Sequence, residues 1–151
     1  MTAPSQARLK AACETLARVD PALAIAYDVT GLPVWRAGAP TYAMLARMIT
    51  HQQISLGAAA AIWARTEALL GEVTPEAVLA ADPDALRACG QSRPKVGHLT
   101  SIAQSLVTGT LSLPRVCTAP LDDARRELVA VKGIGPWTAE LFLLYATGAM
   151  D

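Results

Sequence analysis

An all-α fold is expected from three features of the 151-residue chain. Hydrophobic residues make up 52% of it but aromatic ones only 5%, so alanine, leucine and valine carry the apolar fraction. Cores of such small side chains favour closely packed helices over sheet sandwiches. Apolar residues recur at helical spacing, and no segment alternates strictly enough to read as a strand. Gly and Pro punctuate that pattern at short intervals, which marks helix ends. The length suits one domain or two small helical lobes. A charged fraction of 17% argues against disorder.

Each element has its own signal. Residues 5–18 read as a helix with Leu9, Ala12, Cys13 and Leu16 at helical spacing, stopping before Asp20-Pro21. Gly31, Pro33, Gly38 and Pro40 make 21–39 a short helix followed by a loop. Thr41–His51 places Tyr42, Leu45, Met48 and Ile49 on one face. Ser55 is the expected N-cap of an alanine-rich helix that reaches Leu70 and stops at Gly71. Thr74-Pro75-Glu76 and Asp82-Pro83-Asp84 each set a capping oxygen before a helix-starting proline, and the second helix ends near Cys89-Gly90. Ser92-Arg93-Pro94-Lys95 opens the next, with Leu99, Ile102, Ala103, Leu106 and Val107 on its inner stripe and an end near Gly109. Asp122 starts a helix to Val131 that turns Leu121, Ala124, Leu128 and Val131 inward. Pro136 starts the last, which runs to Thr147.

Composition also excludes. Thirteen basic residues balance thirteen acidic ones, so net charge says nothing about nucleic acid and any such reading rests on local geometry. Cys13, Cys89 and Cys117 lie far apart, which excludes a zinc ribbon and a four-cysteine cluster site; they read as three buried thiols. No uninterrupted apolar run of about eighteen residues exists, and the charged N-terminus lacks a signal-peptide core. A cytoplasmic protein without membrane contact is expected.

The chemistry concentrates in Leu128-Val-Ala-Val-Lys-Gly-Ile-Gly-Pro-Trp-Thr-Ala139, where Gly-Ile-Gly joins two amphipathic helices. Gly133 and Gly135 can both take positive φ and bare the backbone, while Ile134 plugs back between the helices. The free N–H groups of the turn and of the next helix then converge on one external point. That array suits an anion, with a DNA phosphate the natural candidate and Lys132 beside it. A plain αα-hairpin would use the same turn.

Val131-Lys-Gly-Ile-Gly-Pro-Trp-Thr-Ala139 resembles the hairpin of helix–hairpin–helix DNA glycosylases, in their alkylbase (3-methyladenine) branch. Ile49-Thr-His-Gln-Gln-Ile-Ser55 and Leu86-Arg-Ala-Cys-Gly-Gln-Ser-Arg-Pro-Lys95 are similar to two further motifs of that branch, in the same order. The resemblance covers 35–151, with the hairpin at 131–136, and leaves 1–34 as an N-terminal helical extension. It implies that the Gly133 and Gly135 amides hold a phosphate of the lesion strand, with room for a monovalent cation at that turn and no other cofactor or catalytic metal. It implies that Gln53 fills the gap left by a flipped nucleotide, where a planar amide can stack and hydrogen-bond. Ser92 would touch the backbone in the minor groove and also cap its helix, and Thr138 joins Lys132 among the expected DNA contacts. Arg93 and Lys95 would extend the basic face, with Arg47 and Arg65 as further contributors. His51, beside Gln53, reads as a structural hydrogen-bonder.

Trp137 stands where the bifunctional branches carry a Schiff-base lysine. Without an amine this position cannot perform lyase chemistry, but an indole offers a π-face to an electron-poor alkylated base. Leu141 and Tyr42 would line the same pocket. The resemblance therefore implies a monofunctional glycosylase that excises alkylated purines from duplex DNA, monomeric when complete. It also implies that the catalytic aspartate lies a short loop beyond Asp151, and that the closing helices are missing from these 151 residues. No catalytic residue is assigned within the chain, and the 151 residues alone are expected to be inactive. Glu140, Asp122 and Asp123 are poor substitutes for it. Apolar surface is then expected to be uncovered around Phe142, Leu143 and Tyr145. Two other readings stand beside this one: a non-catalytic helix–hairpin–helix DNA-binding module, and a helical protein with an incidental Gly-x-Gly turn.

Overall fold

The computed structural model describes residues 4–35 and 37–148, which form ten helices and no strand. In chain order they are α1 (Gln6–Val19), α2 (Pro21–Thr30), α3 (Tyr42–His51), α4 (Leu56–Leu70), α5 (Pro75–Ala80), α6 (Pro83–Ala88), α7 (Arg93–Val107), α8 (Leu113–Thr118), α9 (Leu121–Val129) and α10 (Pro136–Thr147). The expected caps Ser55, Thr74, Asp82 and Ser92 are formed, and Thr41 caps α3 instead of lying within it; each accepts a backbone N–H of its own helix's first turn. Each such cap contributes about 1 kcal/mol.

The helix α8 has no counterpart among the sequence expectations. Its signal is Ser112-Leu113-Pro114: the Ser112 hydroxyl accepts the Arg115 N–H, and Pro114 stands in the first turn. At six residues it is too short for periodicity to reveal. Glu127 of α9 fixes it in place, accepting the Ser112 N–H at 2.9 Å and pairing with Arg115 at 2.7 Å.

The long helix α7 packs against α3, α5 and α6, while α10 packs against α3, α8 and α9. Between them lies one core, built on Leu45, Ile49, Leu86, Leu99, Ile102, Leu128, Ile134 and Phe142. Three expectations fail here. Phe142 and Leu143 are fully buried and Tyr145 half-buried, because α10 is inserted among its neighbours. Val107 is 51% exposed, since α7 ends there and the chain turns away at Thr108-Gly109. Only Cys89 is buried; Cys13 and Cys117 are half-buried.

Helices α1 and α2 pack on each other, and neither contributes a fully buried residue. Their apolar spacing makes an interface without making a core. The loop after them returns to the body through the Gly38 N–H, which donates to the Tyr145 carbonyl at 3.1 Å.

Candidate nucleic-acid interface

Two turns are linked through the start of α10: residues 132–135, which lead from α9 into α10, and residues 52–55, joining α3 to α4. In the first, Gly133 has φ +104 and lies against α7. A Cβ there would fall 2.6 Å from the His98 Cβ and 3.0 Å from its Cα, so the chain itself requires glycine at this position. Gly135 departs from expectation. Its φ is −83 with extended ψ, and a Cβ would meet nothing within 4 Å. Nothing in the chain therefore requires glycine at this position. Ile134 plugs inward as expected and is buried.

Gly135 caps α10 without any side-chain cap. Among the described residues, the N–H groups of Gly133, Gly135, Trp137 and Thr138 meet no acceptor of the chain. Unsatisfied donors at a helix N-terminus, with its partial positive charge, are what an anion requires. Trp137 follows with its indole 66% exposed, so it is not part of the core. Leu141, one turn further along α10, is half-buried.

In the second turn, Gln53 is exposed and has φ +58, the one positive φ outside glycine among the described residues. For a residue with a Cβ that conformation costs about 1–2 kcal/mol. Bonds on either side hold it. The Lys95 Nζ donates to the carbonyls of Thr50 and Gln52, each at 2.8 Å, where the C-terminal end of α3 favours a cation. The Gln52 Nε2 donates to the Thr138 Oγ1 at 2.8 Å, tying this turn to α10. Beneath it, the buried Gln91 Nε2 donates to Thr50 Oγ1 at 2.9 Å and Thr66 Oγ1 at 3.4 Å. Both hydroxyls already donate to carbonyls of their own helices, so they can only accept from Gln91.

Three expected site residues take other places. Thr138 is 2% exposed with its hydroxyl engaged by Gln52, so its side chain faces the protein rather than a ligand. Tyr42 is 4% exposed and belongs to the core; its hydroxyl donates to the Leu99 carbonyl at 3.0 Å, and burial pushes its pKa up. Lys95 spends its ammonium on α3 instead of an outer face, and burial pulls its pKa down. The Arg65 Nε likewise donates to the Cys89 carbonyl, and Arg47 lies over the Trp63 ring, 5.9 Å from its centroid. Arg93 and Lys132 remain exposed, and neither forms an ion pair among the described residues. Ser92 is exposed and caps α7.

His51 ends α3 with its Nε2 buried and without a partner among the described residues. Burial, then the charges of Arg47 and Lys95, lower its pKa and so favour the neutral imidazole. Among the described residues the carboxylates around the hairpin are engaged: Glu140 and Asp122 by Arg125, Asp123 by Arg126, Glu127 by Arg115. Among the described residues no group of His, Cys, Asp and Glu could hold a metal ion. Asp151 lies outside the described residues.

A family model for the HhH-GPD superfamily of base excision DNA repair proteins matches residues 46–141, a span that holds both turns and the loop before α7. The chain belongs to this superfamily. Among curated relatives, the DNA-3-methyladenine glycosylase 1 of Schizosaccharomyces pombe is 32% identical over 114 residues, covering 73% of this chain and 50% of the relative. The DNA-3-methyladenine glycosylase 2 of Escherichia coli is 34% identical over 116 residues, covering 70% and 40%. The chain thus spans about half the length of these relatives or less. Among solved structures, the 3-methyladenine DNA glycosylase of S. pombe in complex with abasic DNA superposes with a TM-score of 0.81 at 28% identity. That superposition covers 90% of this chain and 69% of the other. The all-α architecture is therefore that of the HhH-GPD glycosylases.

Gln52 and Gln91 stand inside the quoted HhH-GPD motifs, yet sequence alone gives them no role. Nothing in a Gln-Gln pair says which one turns in. A functional reading of Lys95 as an outward cation fails for a similar reason: its reach to α3 exists only after folding.

Proposed function

We propose that this protein recognises damaged purines in duplex DNA and acts in their excision as a monofunctional glycosylase of the alkylbase type. The observation that carries the proposal is the bare N-terminus of α10: an open Gly135, unsatisfied amides and an exposed Trp137 on adjacent residues. A phosphate at those amides would place the lesion strand against α10, with Lys132 and Arg93 adding charge. Gln53 would enter the base stack as the damaged nucleotide leaves it. The Trp137 face would then receive an alkylated purine, whose positive charge strengthens the contact relative to a normal base. Lacking an amine, Trp137 supports hydrolysis without a lyase step. Hydrolysis passes through an oxocarbenium-like sugar that a carboxylate must stabilise. The four acids around the hairpin are held by arginines, so none of them is assigned this role.

The Lys132 and Gly133 carbonyls, which receive no backbone N–H among the described residues, fit a monovalent cation that would share the phosphate. A similar relative's complex with abasic DNA supports damaged duplex as the partner. The engaged acids favour a second reading, a binding module without catalysis.

Release of 3-methyladenine from alkylated duplex, measured beside binding to abasic duplex, tests both. Release is the expected result for the enzyme. Tight, salt-sensitive binding without release would support the binding module, and affinity indifferent to salt would overturn phosphate contact altogether.

A further inference from the structure

Gln53 holds a backbone conformation that a side-chain-bearing residue adopts only when its surroundings impose it. The imposing bonds come from outside the turn. From α7, the Lys95 ammonium grips the Thr50 and Gln52 carbonyls immediately before Gln53. From α10, the buried Thr138 hydroxyl receives the Gln52 side chain. On the far side, the Ser55 hydroxyl accepts the Ala58 N–H and fixes the start of α4. The only residues left between fixed points are Gln53 and Ile54. Thr138 is also in the first turn of α10, beside the unsatisfied amides.

We infer that Gln52, Thr138 and Lys95 form a latch that sets Gln53 in its inserting conformation and makes it rigid with the hairpin. Their side chains position Gln53 and do not touch DNA, while the Thr138 main-chain N–H, which no side-chain substitution removes, stays among the amides of α10. The inference rests on the proposed reading of Gln53 as the residue that enters the duplex. A phosphate bound at α10 then fixes, through a single hydrogen bond, where the Gln53 side chain meets the base stack. Pre-ordering of this kind raises affinity by removing the cost of arranging the turn on binding.

Thr138→Val keeps the shape of the buried side chain and removes the acceptor; Thr138→Ser keeps the acceptor and removes the methyl. Gln52→Met cuts the same bond from a half-buried position that tolerates change. Each is compared with the unaltered chain for binding to intact and abasic duplex, with 2-aminopurine opposite the abasic site to report unstacking. The expected result is a roughly five- to tenfold loss of abasic affinity in Thr138→Val and Gln52→Met, about the worth of one hydrogen bond in a dry site. Their 2-aminopurine signal should fall, intact-duplex affinity should hold, and Thr138→Ser should behave as the unaltered chain. Retained abasic preference in Thr138→Val and Gln52→Met overturns the latch. So does an equal loss in Thr138→Ser, which would mean packing, or an equal loss on both duplexes, which would mean a damaged hairpin. No abasic preference in the unaltered chain overturns the functional reading itself, and the latch with it.

Discussion

The two turns of the interface solve opposite problems. At 132–135, glycine stands at two positions in different settings: at Gly133 α7 leaves no room for a side chain, whereas Gly135 has open space beside it. At 52–55, a position whose φ of +58 suits glycine carries glutamine. Under the proposed function a ligand would account for both features, the open Gly135 of one turn and the left-handed Gln53 of the other. The difference teaches that a glycine's role is read from what surrounds it and not from its presence in a motif.

The comparison can be broken first at Gly133. Gly133→Ala adds a Cβ against the His98 main chain and also strains a positive φ. A stability loss of roughly 2–4 kcal/mol is expected from urea unfolding; a loss near zero would mean that the hairpin does not need α7. Gly135→Ala should separate the two glycines. Its stability should stay within about 0.5 kcal/mol of the unaltered chain, while abasic-duplex affinity falls roughly tenfold as charge-assisted bonds to phosphate are blocked. Unchanged affinity would return Gly135 to the status of an ordinary linker.

Gln53→Gly tests the second turn. Relief of the left-handed strain should stabilise the fold by about 0.5–1 kcal/mol, and the preference for abasic over intact duplex should shrink. A variant both less stable and equally selective would remove Gln53 from the interface. The smallest effect concerns His51, whose pKa is lowered from 6.5 by burial and by Arg47 and Lys95. Above pH 6.5 both folded and unfolded chains hold it neutral. As pH falls below that value the unfolded chain binds the proton first, so stability declines. Urea midpoints between about pH 7.5 and pH 5 should fall less in His51→Gln than in the unaltered chain.

Much of the fold was legible because its signals are local. Capping oxygens before prolines at Thr74 and Asp82, and the Ser92 cap, place helix starts within a residue. The helix α8 escaped because six residues show no period, and its position depends on Glu127, fifteen residues away from Ser112. The N-terminal helices show the converse. Leu9, Cys13 and Leu16 have the spacing of a core face, but α1 packs mainly on α2 and buries none of them fully.

At the interface, the sequence by itself determined the Gly-Ile-Gly turn, the Gln52-Gln53 pair and the absence of an amine at Trp137. These are properties of residue type and order, and they survive any arrangement of the helices. Tertiary structure alone decided that Thr138 and Lys95 face inward to hold Gln53, that Tyr42 belongs to the core, and that Gly133 answers to His98 while Gly135 answers to nothing in the chain. Apart from the open Gly135, each of those outcomes is a contact between residues far apart in the chain, from Gly133 and His98 to Gln52 and Thr138, and the direction in which a side chain points across such a distance is fixed only when the helices pack.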